Sequence, residues 1–337
     1  MARNRTHTLN SYMKKEIPDI SVIVPIYKVE AYIKHCAESL FEQTKKEGVE
    51  YIFVNDCTPD RSMQIVEEVA LGYPDRLDQI RYVHHASNKG VSAARNSGLD
   101  VAQGEYIVYI DGDDWIEKEM LADMYKAAKE NDADIVRCDF FCTYSTFEKR
   151  MKSVDEVDPV ECIKLLLSEK IHGGLWSKLI RHTLYTDNKI VFFDGYWEDL
   201  RASVQFFYYA KKTVYVPKSY YHYTQYNDNA QGALNLDKKL DEIIRNTDGI
   251  IDFLEDKHLP LDKYIHYLKL AAKQTLLFTC DKSSYRKWLQ IYPESNKYTW
   301  SYPSLPLHLR IIGGCTTLRL WPLIDLWIWM KKWRGRK

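Results

Sequence analysis

Four short apolar segments, each followed by a segment of helical spacing, make up the first third of the chain and most constrain its fold. They cover Ile20–Tyr27, Tyr51–Val54, Ile80–His84 and Glu105–Ile110. Unbroken apolar, β-branched segments are typical of strands buried on both faces. Strands that alternate with helices through short loops predict a parallel sheet covered by helices, an α/β fold. Ligands of such sheets bind outside the carboxyl ends of the strands.

The rest of the chain has a different pattern. Residues 116–230 mix helical segments with aromatic segments that we interpret as strands, among them Thr213–Val216 and Tyr220–Tyr223. From Leu236 onward, apolar residues recur at helical spacing. We therefore expect a polar N-terminal tail over residues 1–19, an α/β domain over 20–230, a helical extension over 231–305 and a basic, Trp-rich tail over 306–337.

Charge is balanced over the whole chain but not along it. The 47 basic and 47 acidic residues cancel, which disfavours a general nucleic-acid binder. The C-terminal tail, however, holds one carboxylate, Asp325, among four tryptophans and seven cations, namely Arg310, Arg319, Trp321, Trp327, Trp329, Lys331, Lys332, Trp333, Arg334, Arg336 and Lys337. We expect residues 308–337 to contact an anionic membrane surface. The alternative is a terminal helix packed on the body or on a second subunit.

Three further features indicate the compartment. The polar segment Met1–Asp19 lacks the apolar core of a signal peptide. No run of about 18 uncharged apolar residues exists, which disfavours a simple membrane span. The seven cysteines are scattered and form no CxxC pair, so neither a zinc site nor a disulfide framework is indicated. We expect a cytoplasmic protein, peripheral on the inner face of the cell membrane.

Carboxylates follow the fourth predicted strand. In Asp111-Gly112-Asp113-Asp114, Asp111 and Asp113 lie two positions apart. Mg²⁺ and Mn²⁺ prefer hard oxygen ligands, and a cation bound here would stabilise a diphosphate leaving group. Asp and Gly are also common in ordinary turns. A second acidic turn, Asp56–Asp60, follows the neighbouring predicted strand, and this placement favours a functional site.

Residues around the second turn could bind a nucleotide. Asp56 could accept a hydrogen bond from a base, or it could cap the next helix, a role for which Asp60 and Thr58 are equally suited. Lys89 and Arg95 could contact phosphate or form ion pairs with the acidic edge. The motifs G-x-G-x-x-G and G-x-x-x-x-G-K-[ST] are absent, which disfavours a dinucleotide-dependent oxidoreductase and a P-loop NTPase.

A second acidic pair lies in an aromatic setting, in Trp197-Glu198-Asp199. A carboxylate there could act as the general base that takes a proton from an acceptor hydroxyl. An acidic pair is equally expected at a helix N-terminus, where the helix dipole favours negative charge. Both interpretations stay open from these residues alone.

The chain resembles the family 2 inverting glycosyltransferases of the GT-A fold, of the type that acts in bacterial polysaccharide synthesis. The resemblance lies in Ser21–Ile33, Val54–Ser62, Asn88–Gly98 and Tyr109–Trp115, in the order that the family shows and over about residues 20–115. Two later segments, Trp176–Leu179 and Trp197–Leu200, resemble motifs of the family's acceptor half. The resemblance implies a nucleotide-sugar-binding half over 20–115 and an acceptor half over 116–230.

The resemblance also implies roles for individual residues. It places a UDP-sugar, or another nucleotide sugar, against the nucleoside pocket residues Pro25, Tyr27 and Glu30, the uracil contact Asp56, and the phosphate-side cations Lys89 and Arg95. Asp111 would contact ribose or metal, and Asp113 would bind Mn²⁺ or Mg²⁺. Asp199, beside Glu198, would be the catalytic base.

Acceptor contacts would come from Trp115, Trp176, Lys178 and Trp197. Where many relatives have an aromatic run that closes with Arg, this chain has Tyr221-His222-Tyr223-Thr224-Gln225, so His222 could take over the phosphate contact.

The resulting expectation is an enzyme that transfers a sugar to a hydroxyl of a glycan or lipid-linked glycan in cell-surface polysaccharide synthesis. One alternative is a catalytically silent relative that binds nucleotide sugar or glycan, which the intact Asp56, Asp111, Asp113 and Asp199 disfavour. The other is a nucleotidyltransferase. That class usually carries a Gly-rich loop after the first strand, where this chain has Lys28-Val29-Glu30.

Overall fold

The computed structural model describes residues 17–227 and 236–334, with the side chains of 332–334 left out. Most of the predicted N-terminal tail, the predicted domain boundary at residue 230, and the last three residues lie outside this part of the chain.

Nine strands of the described chain form one sheet. They are β1 (Ile20–Ile26), β2 (Val49–Asn55), β3 (Ile80–His84), β4 (Tyr106–Tyr109), β5 (Trp115–Ile116), β6 (Ile135–Thr143), β7 (Glu148–Met151), β8 (Lys178–Arg181) and β9 (Thr213–Thr224). Their order is β3-β2-β1-β4-β8-β6-β9-β5, and β7 pairs with the free part of β6.

The first half of the sheet confirms the predicted parallel arrangement. β1 pairs in parallel with both β2 and β4, and β2 pairs in parallel with β3. The second half is mixed, because β8 is antiparallel to β4 and β6 whereas β9 is parallel to β6. The two predicted aromatic strands are one continuous strand, β9, whose register against β6 shifts between Cys138 and Phe140.

Helices cover the sheet and form the C-terminal part. They are α1 (Ile33–Phe41), α2 (Ser62–Ala70), α3 (Val91–Val101), α4 (Met120–Asn131), α5 (Pro159–Leu167), α6 (His182–Asn188), α7 (Glu198–Tyr209), α8 (Leu236–Glu255), α9 (Asp262–Lys273), α10 (Thr275–Phe278), α11 (Lys282–Gln290), α12 (Leu307–Thr317) and α13 (Trp321–Arg334). Short 3-10 helices span Pro74–Gln79 and Pro293–Tyr298.

The alternation of side chains along β1 divides the core between the two faces of the sheet. Val22 and Val24 pack with α1, α2 and α4, whereas Ile23 packs on the opposite face with residues of α3, α5 and α7. Gly98 allows α3 to approach this second face, because an added Cβ there would lie 2.4 Å from Ile23 Cγ2. This close contact brings α3 against the sheet.

The C-terminal helices have an apolar cluster of their own, centred on the fully buried Trp288. α8 joins it to the α/β part, since Leu240 belongs to this cluster while Ile250 and Leu254 pack in the core beneath the sheet. The helical extension therefore packs directly on the α/β domain.

The last helix, α13, leaves most of its apolar side chains on the surface. Leu323, Leu326 and Trp329 are 54%, 51% and 62% exposed, whereas Ile324 is buried against the helical cluster. Among the described residues, no helix is both long enough and apolar enough to cross a membrane.

Candidate active site

The turn Asp111–Asp114 follows β4 at the carboxyl edge of the parallel strands, as predicted. Its fourth residue, Asp114, is buried and accepts hydrogen bonds from Tyr221 Oη at 2.5 Å and Thr224 N at 2.8 Å. Tyr221 Oη also accepts from Asp111 N at 3.2 Å. Burial, followed by the charges of Asp113 and Asp111, raises the pKa of Asp114 well above its usual range. Asp114 thus fastens the turn to β9 and is not available to a ligand.

The other two carboxylates of the turn are accessible. Asp113 Oδ2 accepts a hydrogen bond from Asn227 Nδ2 at 2.7 Å. Burial and the neighbouring Asp111 raise the pKa of Asp113, so the two groups repel each other and a cation between them would relieve that repulsion.

A divalent cation fits this donor set. Mg²⁺ is usually bound through one or two carboxylates together with substrate phosphates. Within residues 17–227 and 236–334, no group of three or more His, Cys, Asp or Glu side chains forms a complete metal site. Asp111 and Asp113 therefore suit a cation that arrives with a phosphorylated substrate better than a resident structural metal.

Arg95, on α3, connects this turn to the second acidic pair. Its Nη1 donates to Glu198 Oε1 at 2.6 Å, and its Nη2 donates to Asp111 Oδ1 at 3.1 Å. Arg95 is only 5% exposed. The sequence left two roles open for Arg95, a phosphate contact or an ion pair, and the structure shows the ion pair. Both terminal nitrogens of the guanidinium donate to carboxylates.

The acidic pair begins α7, directly after Trp197, which adopts a left-handed backbone with φ of 70°. Burial raises the pKa of Glu198 to about 7, with Asp199 adding to the shift and Arg95 opposing it. Asp199 Oδ1 accepts from Leu200 N at 2.7 Å, and among the described residues Asp199 forms no ion pair. Of the two carboxylates, Glu198 alone is paired with a cation within the part of the chain that the structure describes.

Asp56 lies at the end of β2 in a closed network. Its Oδ1 lies 2.6 Å from His85 Nδ1 and accepts from Lys89 N at 2.8 Å. Its Oδ2 accepts from Asn88 Nδ2 at 2.9 Å and from Gly90 N at 2.8 Å. Asp56 is 2% exposed, so a uracil N–H would have to share or replace one of these four contacts.

The N-cap of α2 is Arg61, whose side chain forms no capping hydrogen bond. Asp60, one of the candidates named from the sequence, precedes it, and its Oδ1 accepts from Ser62 N at 3.1 Å. A cavity of about 680 Å³ opens beside it and is lined by Lys28, Glu30 and Tyr32. Tyr27, which is 40% exposed, precedes these residues. Two of the predicted nucleoside residues, Tyr27 and Glu30, therefore lie at an open surface at the carboxyl end of β1.

Pro25 and Lys89 are placed differently from each other. Pro25 pairs with Val54 inside the sheet, and an ideal Cβ at Gly112 would lie 3.1 Å from the Pro25 carbonyl oxygen. Pro25 thus forms the wall behind the acidic turn. Lys89 is exposed, and its backbone N–H is bound to Asp56, which leaves its ammonium group at the surface.

Comparison with known proteins decides the family. The family model described as Glycosyl transferase family 2 matches residues 21–198, slightly more than half of the chain. The chain belongs to glycosyl transferase family 2. Over 217 residues it is 35% identical to the protein EpsH of Bacillus subtilis, covering 62% of this chain and 61% of EpsH. Over 299 residues it is 26% identical to the minor teichoic acid biosynthesis protein GgaB of Bacillus subtilis, covering 83% of this chain and 32% of GgaB.

The chain thus spans less than two thirds of the length of these two relatives. Among solved structures, S. aureus TarS 1–349 in complex with UDP-GlcNAc is similar, with a TM-score of 0.68 and 20% identity. The likeness covers 95% of this chain and 92% of that one. It confirms the predicted GT-A fold, including the helices that follow the α/β part.

In this member of glycosyl transferase family 2, His222, for which the sequence predicts a phosphate contact, lies in the interior. It is 2% exposed and stacks on Trp115 with a centroid distance of 3.3 Å. Its ring nitrogens lie 3.0 Å from Glu117 Oε1 and 2.8 Å from Glu148 Oε1. Packing and two carboxylates therefore hold the ring in this position.

Two other predicted acceptor contacts are also buried. Trp176 is 4% exposed and stacks on Tyr221 with centroids 4.4 Å apart. Lys178 is 2% exposed and donates to the carbonyl oxygens of His172 and Gly174. Trp197, at the start of α7, packs between the core beneath the sheet and the helical cluster. Trp176 and Lys178 support the site from inside, and Trp115 is partly covered by His222.

Sequence reasoning missed four residues that shape the site. His85 and Asn88 hold Asp56, Tyr221 holds the acidic turn, and Asn227 binds Asp113. Asn88 lies inside a segment that resembles the family, whereas Tyr221 lies in the segment Tyr221–Gln225 that departs from the family's aromatic run. Their partners, however, are 32 and 107 positions away, so local sequence gives no signal of the contacts.

Proposed function

We propose that this chain is a metal-dependent, inverting glycosyltransferase that transfers a sugar from a UDP-sugar to a hydroxyl of a glycan or lipid-linked glycan. The observation that carries the proposal is the double ion pair of Arg95. Arg95 joins Asp111, the first residue of the acidic turn, to Glu198, which precedes the candidate base Asp199. This connection supports the proposal, because it would fix the distance between the residues that act on the leaving group and the residue that acts on the acceptor.

On the donor side, Asp113 would hold Mn²⁺ or Mg²⁺, with Asp111 divided between metal and ribose. Such a cation neutralises the diphosphate as it leaves. The chain's own contribution is orientation. Asn227 restrains Asp113, while Asp114 and Tyr221 fix the turn that carries both carboxylates. Glu30 and Tyr27 would border the nucleoside, and Asp56 would shape the base pocket through His85 and Asn88.

On the acceptor side, Asp199 would take the proton from the attacking hydroxyl. Glu198 is occupied by Arg95, whereas Asp199 has no ion-pair partner among the described residues, which leaves its carboxylate free to accept a hydrogen bond from the acceptor hydroxyl. Direct attack on the anomeric carbon, opposite the departing UDP, inverts its configuration. No covalent intermediate is needed, and no second nucleophile is assigned.

The relatives and α13 support a proposal for the cellular setting. GgaB is described as a minor teichoic acid biosynthesis protein, which supports a role in cell-surface polymer synthesis. Leu323, Leu326 and Trp329 are exposed beside Lys331. Exposed Trp and Leu next to cations suit the interface of an anionic membrane, so we place the enzyme on the cytoplasmic face of the membrane.

A donor screen tests the activity. UDP release would be measured for a panel of UDP-sugars and other nucleotide sugars with Mn²⁺, with Mg²⁺ and with a chelator. We expect metal-dependent UDP release from one donor or a few, and its loss in Asp113→Asn. Asp187→Asn is the control, because Asp187 is an exposed carboxylate on α6. Turnover that persists with chelator, or in Asp113→Asn, would refute the metal assignment.

The two alternatives predict other outcomes in the same screen. A silent relative would bind UDP without releasing it from any donor. A nucleotidyltransferase would release pyrophosphate from a nucleoside triphosphate and a sugar phosphate. Either result would refute glycosyl transfer.

A further inference from the structure

A small cavity lies away from the acidic turn, between β6, β7, β8 and the segment 169–172. Its volume is about 130 Å³, close to that of engineered cavities that hold a benzene molecule. Its lining is rich in nitrogen cations: Arg137, Lys152, Lys170 and Lys178, together with His172. The carboxylate of Glu169 also lines it but binds Gln274 Nε2, at 3.1 Å, and Tyr302.

Two of these cations are direct cross-strand neighbours. The antiparallel pairing of β6 with β8 places Arg137 opposite Lys178, and each is only 2% exposed. Like charges directly opposite each other destabilise a sheet. The effect is larger where solvent cannot screen the charges.

Neither cation forms an ion pair within residues 17–227 and 236–334. Arg137 donates to Ser153 Oγ at 2.8 Å and to the carbonyl oxygens of Val154 and Glu156. Lys178 donates to two carbonyl oxygens of the segment that ends at Gly174. In the described ranges, neither residue has a carboxylate oxygen within ion-pair distance, and Arg137 Nε has no acceptor.

Burial therefore acts against both charges. It lowers the pKa of Lys178 to about 7, with Asp199 opposing the shift and Arg137 adding to it, and it also lowers the pKa of Arg137. Buried cations are normally paired with an anion. A bound anion would supply the charge that this part of the protein lacks.

We propose that this cavity is a binding site for a phosphate-class oxyanion. Arg137 and Lys178 form its buried end, and Lys152 and Lys170, both exposed, flank its opening. Phosphate suits these donors, because its several oxygens accept charge-assisted hydrogen bonds from Arg and Lys at once.

The segment that lines the cavity at His172 leads on to residues that contact the helix α7, which carries the candidate base Asp199. The segment that follows His172 packs on α7, since an ideal Cβ at Gly173 would lie 3.0 Å from Leu200 Cβ. Ser203 Oγ donates to the Gly173 carbonyl oxygen at 2.6 Å. Leu200 directly follows Asp199. If the proposed function holds, the phosphate group belongs to the acceptor, which is then a phosphate-bearing glycan or polyol. This assignment of the source rests on the proposed function, but the oxyanion site does not.

Thermal unfolding of the full chain tests the site, with sodium phosphate compared against sodium chloride at equal ionic strength. We expect phosphate to raise the Tm of the wild type. Lys178→Met should abolish that increase and, by removing an uncompensated buried charge, should raise the Tm in chloride. Lys152→Gln with Lys170→Gln, at the opening, should weaken the increase without affecting the core. The matched control is Lys126→Gln, since Lys126 has a side chain that is 72% exposed.

The site is refuted if phosphate gives no increase in Tm beyond chloride, or if the increase is the same in Lys178→Met and in the Lys152→Gln, Lys170→Gln variant. The latter variant keeps the test decisive if Lys178→Met does not fold. Loss of the phosphate effect on adding UDP and Mn²⁺ would assign the ion to the donor site and would also refute the proposal.

The source of the phosphate is tested separately with glycerol 3-phosphate against glycerol. Stabilisation by glycerol 3-phosphate that Lys178→Met removes supports an acceptor-borne phosphate. A response to inorganic phosphate alone would overturn the acceptor assignment. A phosphate effect in a protein that releases no UDP from any donor would refute the proposed function and leave the oxyanion site standing.

Discussion

Arg95 Nη1 lies 2.6 Å from Glu198 Oε1, although the two residues are 103 positions apart in the chain. The same guanidinium reaches Asp111, on the turn after β4. The buried side chain of Arg95 on α3 therefore sets the distance between the acidic turn Asp111–Asp114 and the start of α7. The close packing of α3 on β1 at Gly98 fixes the position of the Arg95 backbone.

Removing this cation should destabilise the fold. Arg95→Met leaves two carboxylates without their buried partner, and breaking a buried pair in this way costs roughly 3–5 kcal/mol. Chemical denaturation measures the free energy of unfolding. Adding Glu198→Gln should restore part of the loss, since it removes one of the orphaned charges. The Glu198→Gln single variant completes the double-mutant cycle, and strictly additive effects of the two substitutions would show that the two groups do not interact.

The raised pKa of Glu198 predicts a pH dependence. A carboxyl group with a folded-state pKa near 7 binds its proton more tightly in the folded state than in the unfolded state. Its contribution to stability is therefore full below the unfolded value and is lost as pH rises through 7. Between pH 4 and 8 the wild type should lose about 3 kcal/mol relative to Glu198→Gln. The raised pKa of Glu198 would be contradicted if the difference in unfolding free energy between the two proteins did not change with pH, or if the wild type gained stability relative to Glu198→Gln as pH rises.

The hydrogen bond from Tyr221 to Asp114, which joins β9 to the acidic turn, can be tested by removing one oxygen atom. Tyr221→Phe removes the hydroxyl that donates to buried Asp114, which should cost roughly 1–3 kcal/mol in the free energy of unfolding. UDP release should also slow, because Asp111 and Asp113 lose their fixed position. Tyr82→Phe, whose ring is 37% exposed, should change neither quantity. A Tyr221→Phe protein as stable as the wild type would show that this hydrogen bond is not needed.

Contact with a membrane should depend on the exposed face of α13. Replacing Leu326 and Trp329 with Ser should reduce co-sedimentation with anionic vesicles by roughly tenfold or more, since each large apolar side chain contributes about 1.5–3 kcal/mol when buried. Leu71→Ser serves as control, because this leucine after α2 is 74% exposed. Unchanged vesicle binding would assign α13 to a protein contact.

Sequence alone predicts the first half of the sheet because its information is local. Strands β1 to β4 alternate with helices over residues 20–109, and each apolar run has its own periodicity. The second half depends on pairings between distant segments, such as β8 between β4 and β6. Pro217 and Lys218 interrupt the aromatic pattern, so β9 is predicted as two strands. In the structure β9 continues through this interruption, because β6 pairs with it on both sides in a shifted register.

The candidate site is predicted to a similar extent. The turns at Asp56 and Asp111 are foreseeable, because strand ends meet at one sheet edge. The partners of the side chains cannot be predicted in this way, since the residues next to a polar residue in the sequence do not show that it is buried. Lysine and histidine are residue types that are usually exposed, yet Lys178 and His222 both lie inside the protein. Arg95 reads equally well as a phosphate ligand or an ion pair until its neighbours are known.

The central claim is that Asp199 takes the proton from the acceptor. It is tested most directly by the turnover of Asp199→Asn, measured as UDP release with the donor that the screen identifies, alongside calorimetric binding of UDP. General-base catalysis contributes about 10²–10⁴-fold, so we expect turnover to fall by at least roughly 100-fold while UDP binding stays unchanged. Asp194→Asn, at an exposed aspartate before α7, should behave as the wild type. Normal turnover in Asp199→Asn would contradict the assignment and move the base elsewhere.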